Sequence, residues 1–276
     1  MNQTSGETVD IVVVYPDLLR APGDAGNAEV LARRLEWRGF RPRLRLVGHD
    51  QPLPDNARLY LVGGAEGPAQ VAAVQLLAAD GRLARAALAG AVVFATGGGY
   101  QLLGRSFPAP DGTRIDGLGL LDVETVPGTD PARGDVVGRL HLLAGNRIAA
   151  EQKGADRSPA DETHPPEPEL DADQAASDPQ IVTGYEDHSG VTHLGPEADP
   201  LAMISVGYGN CGDGTEGAVT GSVIGTNLQG PVLARNPGLA DRILGLALDR
   251  SLRSLVRTDV DELRRRRILA AMRTTH

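Results

Sequence analysis

Patterns typical of strands and of helices alternate along the first 105 residues of the chain. Residues 27–40 and 68–90 have the spacing of helices that bury one face. The strand-like runs are VDIVVVYP (9–16), RPRLRLVG (41–48), ARLYLVGG (57–64) and AVVFA (91–95). Apart from Asp10, the first and last runs are mostly apolar, as expected of parallel strands covered on both faces. The alternation predicts the α/β class, with a mostly parallel sheet and helices on both of its faces.

The first predicted helix has a buried stripe and a defined end. Val30, Leu31, Leu35 and Trp37 are spaced to lie on its buried face. Gly39 stands where a C-terminal cap belongs, because glycine adopts the left-handed conformation without a Cβ clash.

Beyond residue 105 the pattern changes to strand-like runs separated by turn residues. These runs cover residues 114–126, 134–145, 180–194, 201–210 and 221–230. They predict additional β-hairpins beside the parallel sheet. Residues 236–256 have the apolar spacing of an amphipathic helix. With 276 residues and 41% apolar content, the simplest prediction is a single domain over residues 1–276.

Charge is concentrated in two segments. Residues 151–180 are proline-rich and contain nine acidic side chains against two basic ones, out of a net charge of −9 for the whole chain. We expect this segment to be a disordered insertion. Residues 254–276 form a basic C-terminal tail, for which a solvated end is favoured over a partner-binding helix. The rest of the chain is nearly neutral and predicts no nucleic-acid-binding surface.

The sequence predicts a cytoplasmic protein. The N-terminal sequence lacks the features of a signal peptide, and no apolar run approaches the length of a membrane span. A single cysteine, Cys211, excludes an intramolecular disulfide and a multi-cysteine metal site. No metal site is expected.

A glycine-rich turn joins a buried strand to a short helix in VVFATGGGYQLLG (92–104). Such turns serve dinucleotide sites, phosphate loops and nucleophile elbows. The dinucleotide fingerprint fails because Leu102 stands where a third small residue is required, and no G-K-[S/T] sequence is present for a phosphate loop. A nucleophile elbow remains, in which a strained residue presents its side chain beside backbone N–H donors.

Eight stretches of the chain resemble, in order, the class I glutamine amidotransferases of the cobyric acid synthase (CobB/CobQ) type, most closely their GatD branch. The stretches are GDAGN (23–27), LVGGAEGPAQ (61–70), GGYQLLG (98–104), DGTRIDGLGLLD (111–122), GDVVG (134–138), GYEDHSG (184–190), GYGN (207–210) and GTNLQGPVL (225–233). The resemblance implies a flavodoxin-like class I glutamine amidotransferase fold, relative to which residues 151–180 are an insertion.

The resemblance also implies which positions carry the family's chemistry. The family elbow is C-G-G-Y-Q, whose cysteine attacks glutamine, and a histidine lies in a G-T-x-L-H-G-P motif. Gly97 stands at the cysteine position and Gln229 at the histidine position, while Pro131 replaces a substrate-holding arginine, with Arg133 nearby. We therefore expect no catalytic residues for glutamine hydrolysis, because glycine has no side chain and a carboxamide does not titrate near neutral pH.

Three residues are weaker candidates for a substitute nucleophile or base. Cys211 lies in a polar loop that is not catalytic in relatives, His188 is expected to make a structural hydrogen bond, and Thr96 has no base placed beside it by the sequence. Glu186 and Asp187 are adjacent on a predicted strand, so they point to opposite faces and do not share a site.

The strand ends also predict a pocket that need not be catalytic. Ligands of open α/β sheets bind outside the carboxyl ends of the strands, and the family uses the paired-glycine loop in its oxyanion site. The expected pocket comprises residues 63–65, 97–101 and 227–229. Its oxyanion region is expected to contain Gly63, Gly64, Gly98, Gly99, Tyr100 and Gln101.

The function expected from the resemblance is that of a non-catalytic subunit. Its partner would be a MurT-like ATP-dependent ligase that forms an amide, and ATP and Mg²⁺ would bind to that ligase. No cofactor is expected on this chain. Two alternatives stay open: an active amidotransferase or amidohydrolase that uses non-standard residues, and a stand-alone small-molecule-binding protein.

Overall fold

The computed structural model describes residues 6–21, 24–141, 172–253, 255 and 258–274. The strands are β1 (Thr8–Val14), β2 (Arg41–Val47), β3 (Leu59–Val62), β4 (Val92–Thr96), β5 (Ser106–Pro108), β6 (Arg114–Asp116), β7 (Val123–Leu140), β8 (Ile181–Leu194), β9 (Ala202–Val206), β10 (Thr215–Glu216), β11 (Ala218–Thr220) and β12 (Val223–Thr226). The helices are α1 (Asp24–Glu36), α2 (Pro68–Asp80), α3 (Arg82–Leu88), α4 (Gly98–Leu103), α5 (Ala172–Ser177), α6 (Val232–Arg235), α7 (Pro237–Leu248) and α8 (Thr258–Thr274).

The first sheet has the strand order β11-β12-β4-β3-β1-β2. All of its neighbouring strands are parallel except β11 and β12, which pair antiparallel. Every residue of β3, β4 and β12 is buried, which explains why these strands are mostly apolar and contain no charged residue. The predicted α/β class with a mostly parallel sheet is therefore confirmed.

Successive side chains of the central strands enter two separate cores, because strand residues alternate between faces. Ile11, Val13 and Phe94 pack with α1 and α7 on one face. Val12 and Val93 pack with α2, α3 and α4 on the other face. The elbow helix α4 and the first helix α1 consequently lie on opposite sides of the sheet.

The predicted β-hairpins form a second sheet, in the order β10-β9-β7-β5-β6, with β8 paired to β7. The long antiparallel pair of β7 and β8 shifts register between Pro127 and Ala132. Strand β8 approaches the first sheet through an isolated antiparallel β-bridge between Glu186 and Leu228, which follows β12. This contact brings the second sheet beside the end of β12.

The end of α1 shows where the sequence pattern is reliable and where it fails. Gly39 has φ +83, and hydrogen bonds from Gly39 N to Glu36 O and from Phe40 N to Leu35 O form the predicted glycine cap. The expectation that Trp37 is buried is wrong: it is 50% exposed, because the helix ends one residue before it. The second predicted helix is interrupted at Gly81, which adopts the left-handed conformation between α2 and α3.

Two expectations about the charged segments need correction. Residues 172–180 belong to the acidic segment 151–180 that was expected to be disordered, but residues 172–177 form α5, where Ala175 and Ala176 are buried. The solvated end expected within residues 254–276 is wrong for α8, because Ile268 and Ala271 are fully buried against Ile181 and α5. The acidic residues 151–171 lie outside the described residues.

In the described ranges, no helix has the length and apolar character needed to cross a bilayer. The same ranges contain no group of three or more His, Cys, Asp or Glu side chains arranged to hold a metal ion.

Candidate functional site: the elbow after β4

Gly97 forms the sharp turn between β4 and α4. Its backbone angles are φ +52° and ψ −122°, a conformation that L side chains rarely adopt. Its N–H donates to the carbonyl of Thr226 at 2.8 Å, and its carbonyl accepts from the N–H of Tyr100 at 2.9 Å. The turn thus has the strained geometry of a nucleophile elbow, with a residue that meets the strain without a Cβ.

Gln229 lies directly over this turn. A Cβ built on Gly97 would lie 3.5 Å from Gln229 Nε2. The backbone N–H of Gln229 donates to Tyr185 O at 2.8 Å, and its Nε2 donates to Asp187 O at 3.4 Å, so β8 holds the residue in place. The structure therefore brings together positions 97 and 229, which are far apart in sequence, but neither side chain can act as a nucleophile or a base.

The paired-glycine loop packs against the first turn of α4. A Cβ on Gly98 would collide with the carbonyl oxygen of Ala65, and one on Gly99 would come within 2.5 Å of Gly63 O and 2.6 Å of Val62 O. These backbone segments can approach so closely only because residues 98 and 99 are glycines. The loop at 63–65 and the elbow are thus in contact.

Two glutamines fix the start of α4. Gln70 Nε2 donates to Gly98 O and to Gln101 Oε1, both at 3.0 Å. Gly64 O accepts from the N–H of Ala21 at 2.9 Å, which ties the glycine loop to the segment after β1. Gln101 therefore serves the shape of the turn through its side-chain oxygen.

A buried polar cluster supports the elbow from the side of β12. Glu216 is fully buried and accepts from Thr226 Oγ1 at 3.0 Å and from the N–H of Asn227 at 2.7 Å. Asn210 Oδ1 accepts from the Tyr100 hydroxyl at 3.2 Å and from Asn227 Nδ2 at 3.4 Å. Burial raises the pKa of Tyr100 well above its ordinary value, so its hydroxyl stays protonated and acts as a donor.

A second buried carboxylate, Glu186, organises the loop after β9. Its side chain accepts from the N–H of Tyr208 at 2.6 Å and of Gly209 at 2.8 Å. His188 lies between Glu186 Oε2, at 3.3 Å from Nε2, and Gly190 O, at 2.9 Å from Nδ1. Burial lowers the pKa of His188, but these hydrogen bonds outweigh it and raise the pKa overall. Both ring nitrogens are occupied, as in a structural histidine.

The other candidate side chains have different surroundings. Burial, together with a hydrogen bond to Asp213, raises the pKa of the Cys211 thiol, which opposes formation of the reactive thiolate. Thr96 is buried at the end of β4. Asp187 faces solvent and pairs with Arg133 at 2.7 Å, on the opposite side of β8 from Glu186. None of these contacts assembles a nucleophile with a free base.

Sequence reasoning missed the residues that support the elbow. Asn210 and Asn227 lie within stretches that carried the resemblance, but no role was assigned to them. Glu216 stands alone among small and apolar residues in GTEGAVTG, and this isolated acidic residue was the available signal.

Replacing Glu216 with glutamine should change how stability depends on pH. Burial is the main cause that raises the pKa of Glu216 from 4.5 to about 7. The folded state therefore keeps a proton that the unfolded state releases, and the free energy of unfolding falls as pH rises through this window, by up to about 3 kcal/mol. Glu216→Gln should remove this decrease of the free energy of unfolding with rising pH. Urea unfolding at a series of pH values from about 5 to 8 measures it.

The exposed residue Glu29 on α1 provides the matched control for this measurement. Glu29→Gln should keep the wild-type slope. An unchanged slope in Glu216→Gln would show that the buried carboxyl group does not titrate in this window.

Most of the chain matches a known protein family. A model of the CobB/CobQ-like glutamine amidotransferase domain matches residues 10–237. The lipid II isoglutaminyl synthase (glutamine-hydrolyzing) subunit GatD of Staphylococcus aureus is 26% identical over 237 residues, which cover 85% of this chain and 82% of that subunit. The same subunit of Streptococcus pneumoniae is 27% identical over 243 residues, covering 87% and 80%.

More distant similarity agrees with this match. Cobyric acid synthase of Rhodobacter capsulatus is 30% identical over 196 residues, which cover 68% of this chain but only 32% of that protein. The structure of PurLQS from Thermotoga maritima matches with a TM-score of 0.50 and 15% identity, over 88% of this chain and 98% of that one, and supports the fold alone. The chain belongs to the CobB/CobQ-like glutamine amidotransferase family.

Proposed function

We propose that this chain is a GatD-like subunit without glutaminase activity, which supports a MurT-like ATP-dependent ligase in amide formation. The observation that carries the proposal is the pairing of Gly97 with Gln229 at the elbow. Hydrolysis of an amide by this route needs a thiolate and a group that transfers a proton. Glycine and a carboxamide supply neither.

The surrounding contacts favour a retained scaffold over a displaced active site. The glycine loop still packs on α4, and Gln70 still fixes Gln101. His188 is held in structural hydrogen bonds, and burial raises the pKa of the Cys211 thiol, which opposes formation of a catalytic thiolate. Selection for a subunit interface would preserve the shape of the elbow after its chemistry was lost.

The partner is inferred from the relatives. The two GatD proteins are subunits of lipid II isoglutaminyl synthases, and their similarity extends over most of both chains. A Mur-ligase-like partner would bind ATP and Mg²⁺ and activate a carboxylate, and we place the complex in the cytoplasm. Without glutamine hydrolysis, the ligase would take free ammonia or another amine.

Co-expression with the MurT-like ligase of the same organism tests the proposal. The two chains should purify together as a stable complex. ATP-dependent amide formation by that complex should proceed with ammonium chloride and fail with glutamine as the only nitrogen source. A complex that uses glutamine as well as ammonium would contradict the loss of glutaminase activity, and a chain that never binds the ligase would contradict the partnership.

A further inference from the structure

A cavity of about 300 Å³ lies below the carboxyl ends of the central strands. Val13 of β1, Leu61 of β3 and Phe94 of β4 form its apolar floor, and Ala25 in the first turn of α1 lies at its rim. The floor residues belong to the core on the α1 face of the sheet. The cavity is therefore on the side of the sheet opposite to α4, although it shares Gly63 with the glycine loop.

The cavity lies at the ends of β1 and β3, a position in the sheet topology where ligands commonly bind. β1 continues through α1 to β2 on one side, whereas β3 lies on the other side of β1 and continues through α2 and α3 to β4. The connections thus leave β1 and β3 in opposite directions. Open α/β sheets bind ligands in the crevice that this divergence creates at the carboxyl ends of the strands.

Two hydrogen-bond donors of the cavity wall have no partner in the described part of the chain. Asn27 is 2% exposed, and its Oδ1 accepts from the N–H of Leu233 at 3.0 Å, but its Nδ2 donates to no described group. Arg20, at the mouth, forms no ion pair with a described residue. Asn27 lines the cavity, so this amide nitrogen is available to a ligand or a water molecule there.

The chemistry of the lining favours an anion with an apolar body. Among the described residues that line the cavity, Arg20 is the one charged residue, and none carries a carboxylate. The N-terminus of α1 carries a partial positive charge and adds N–H groups close to Ala25. The volume is at the lower end of the range for ligand pockets, about 300–1,000 Å³, which limits the ligand to a small molecule.

We propose that this cavity binds a small aliphatic monocarboxylate. Its carboxylate accepts hydrogen bonds from Asn27 Nδ2 and Arg20, and its hydrocarbon chain lies over Leu61 and Phe94. The site is separate from the elbow between Gly97 and Gln229, and it does not depend on the function proposed for the elbow.

Calorimetric titration of the full chain with 3-methylbutanoate and with 3-methylbutanamide tests the proposal. The two probes have similar shape, but only the first carries a charge that both donors can bind, so it should bind at least about tenfold more tightly. L-glutamine should bind more weakly than 3-methylbutanoate, because none of the described lining residues is acidic and could pair with its ammonium group. Chemical-shift changes of the backbone amides of Val13, Ala25 and Gly63 should locate the bound probe.

Two variants and one control separate recognition from folding. Asn27→Asp keeps an oxygen for the N–H of Leu233 but replaces the donor with a repelling charge, and Arg20→Gln removes the cation at the exposed mouth. Each should weaken 3-methylbutanoate binding at least about tenfold. Arg33→Gln, which removes an exposed arginine elsewhere on α1, should leave it unchanged.

Several results would overturn the proposed monocarboxylate site. Equal affinity for the acid and the amide, tighter binding of L-glutamine, or no binding of either probe would overturn the proposal. Full affinity in Arg20→Gln would also overturn it, even if Asn27→Asp failed to fold. None of these results bears on whether the chain binds a ligase or hydrolyses glutamine.

Discussion

The double variant Gly97→Cys/Gln229→His is expected to release glutamate from glutamine, whereas the wild-type chain and either single variant are expected to release none above background. A Cβ at position 97 lies 3.5 Å from the amide nitrogen of Gln229, so a thiol and an imidazole at these positions are within reach of each other. A paired base contributes about 100-fold or more to such a reaction. The double variant should exceed each single variant by at least this factor.

The measurement is the release of glutamate by the purified chain and by its complex with the ligase. Gly97→Ala is the matched control, because it carries the same backbone strain without a thiol. Both substitutions at position 97 should lower the free energy of unfolding by about 1–3 kcal/mol, since φ is +52° there. The activity and the cost in stability can therefore be measured separately.

Two results would contradict the expectation. Glutamate release by the wild-type chain, abolished by Cys211→Ala, would reveal a substitute nucleophile. A folded double variant that stays inactive in the complex would show that the elbow no longer holds the geometry required for catalysis, and that the loss extends beyond the two side chains.

Local signals in the sequence determined much of the fold. Buried strands such as β4 are mostly apolar because both faces are covered, and Gly39 ends α1 because the cap requires a positive φ. Trp37 was misplaced because helical spacing was extended beyond the end of the helix. The order in α5 was missed because its alanines are buried by Ile268, which is contributed by a helix about 90 residues later.

The candidate site, like the fold, could be predicted only in part from local sequence signals. The turn at Gly97 was predicted from its glycines, but its contact with Gln229 was inferred only from the family resemblance, because no pattern links two residues so far apart. Glu216 was not predicted because its burial depends on donors from Thr226, the last residue of β12, and from Asn227, which follows that strand. Residues that act through tertiary partners of this kind leave only weak local signals in a single sequence.

Replacing Arg264 with methionine is expected to destabilise the fold by about 3–5 kcal/mol, because four backbone carbonyls lose their donor at a cost of about 1 kcal/mol or more each. Arg264 is 3% exposed, and its guanidinium donates to four backbone carbonyls. The acceptors are the carbonyls of Ala176 (2.9 Å), Asp178 (3.2 Å), Ile181 (2.9 Å) and Arg235 (2.7 Å). Methionine fills a similar volume but leaves these carbonyls without their donors.

The matched control is Arg266→Met on the same helix. Arg266 is exposed and pairs with Glu262 one turn earlier, at 2.9 Å, so its loss should change the free energy of unfolding by no more than about 0.5 kcal/mol. Urea unfolding of both variants measures the difference. Equal stability of the two variants would show that the buried guanidinium does not hold α8 in place.

The effect of Arg264→Met should also reach the elbow. Arg264 contacts Asn236 Oδ1 at 3.4 Å, and Asn236 binds both backbone groups of Thr183 at the start of β8. Further along β8, the carbonyls of Tyr185 and Asp187 hold Gln229 over Gly97. Hydrogen exchange at the amides of Thr183 and Gln229 should therefore accelerate in Arg264→Met and not in Arg266→Met, because loosening α8 loosens the strand that positions Gln229.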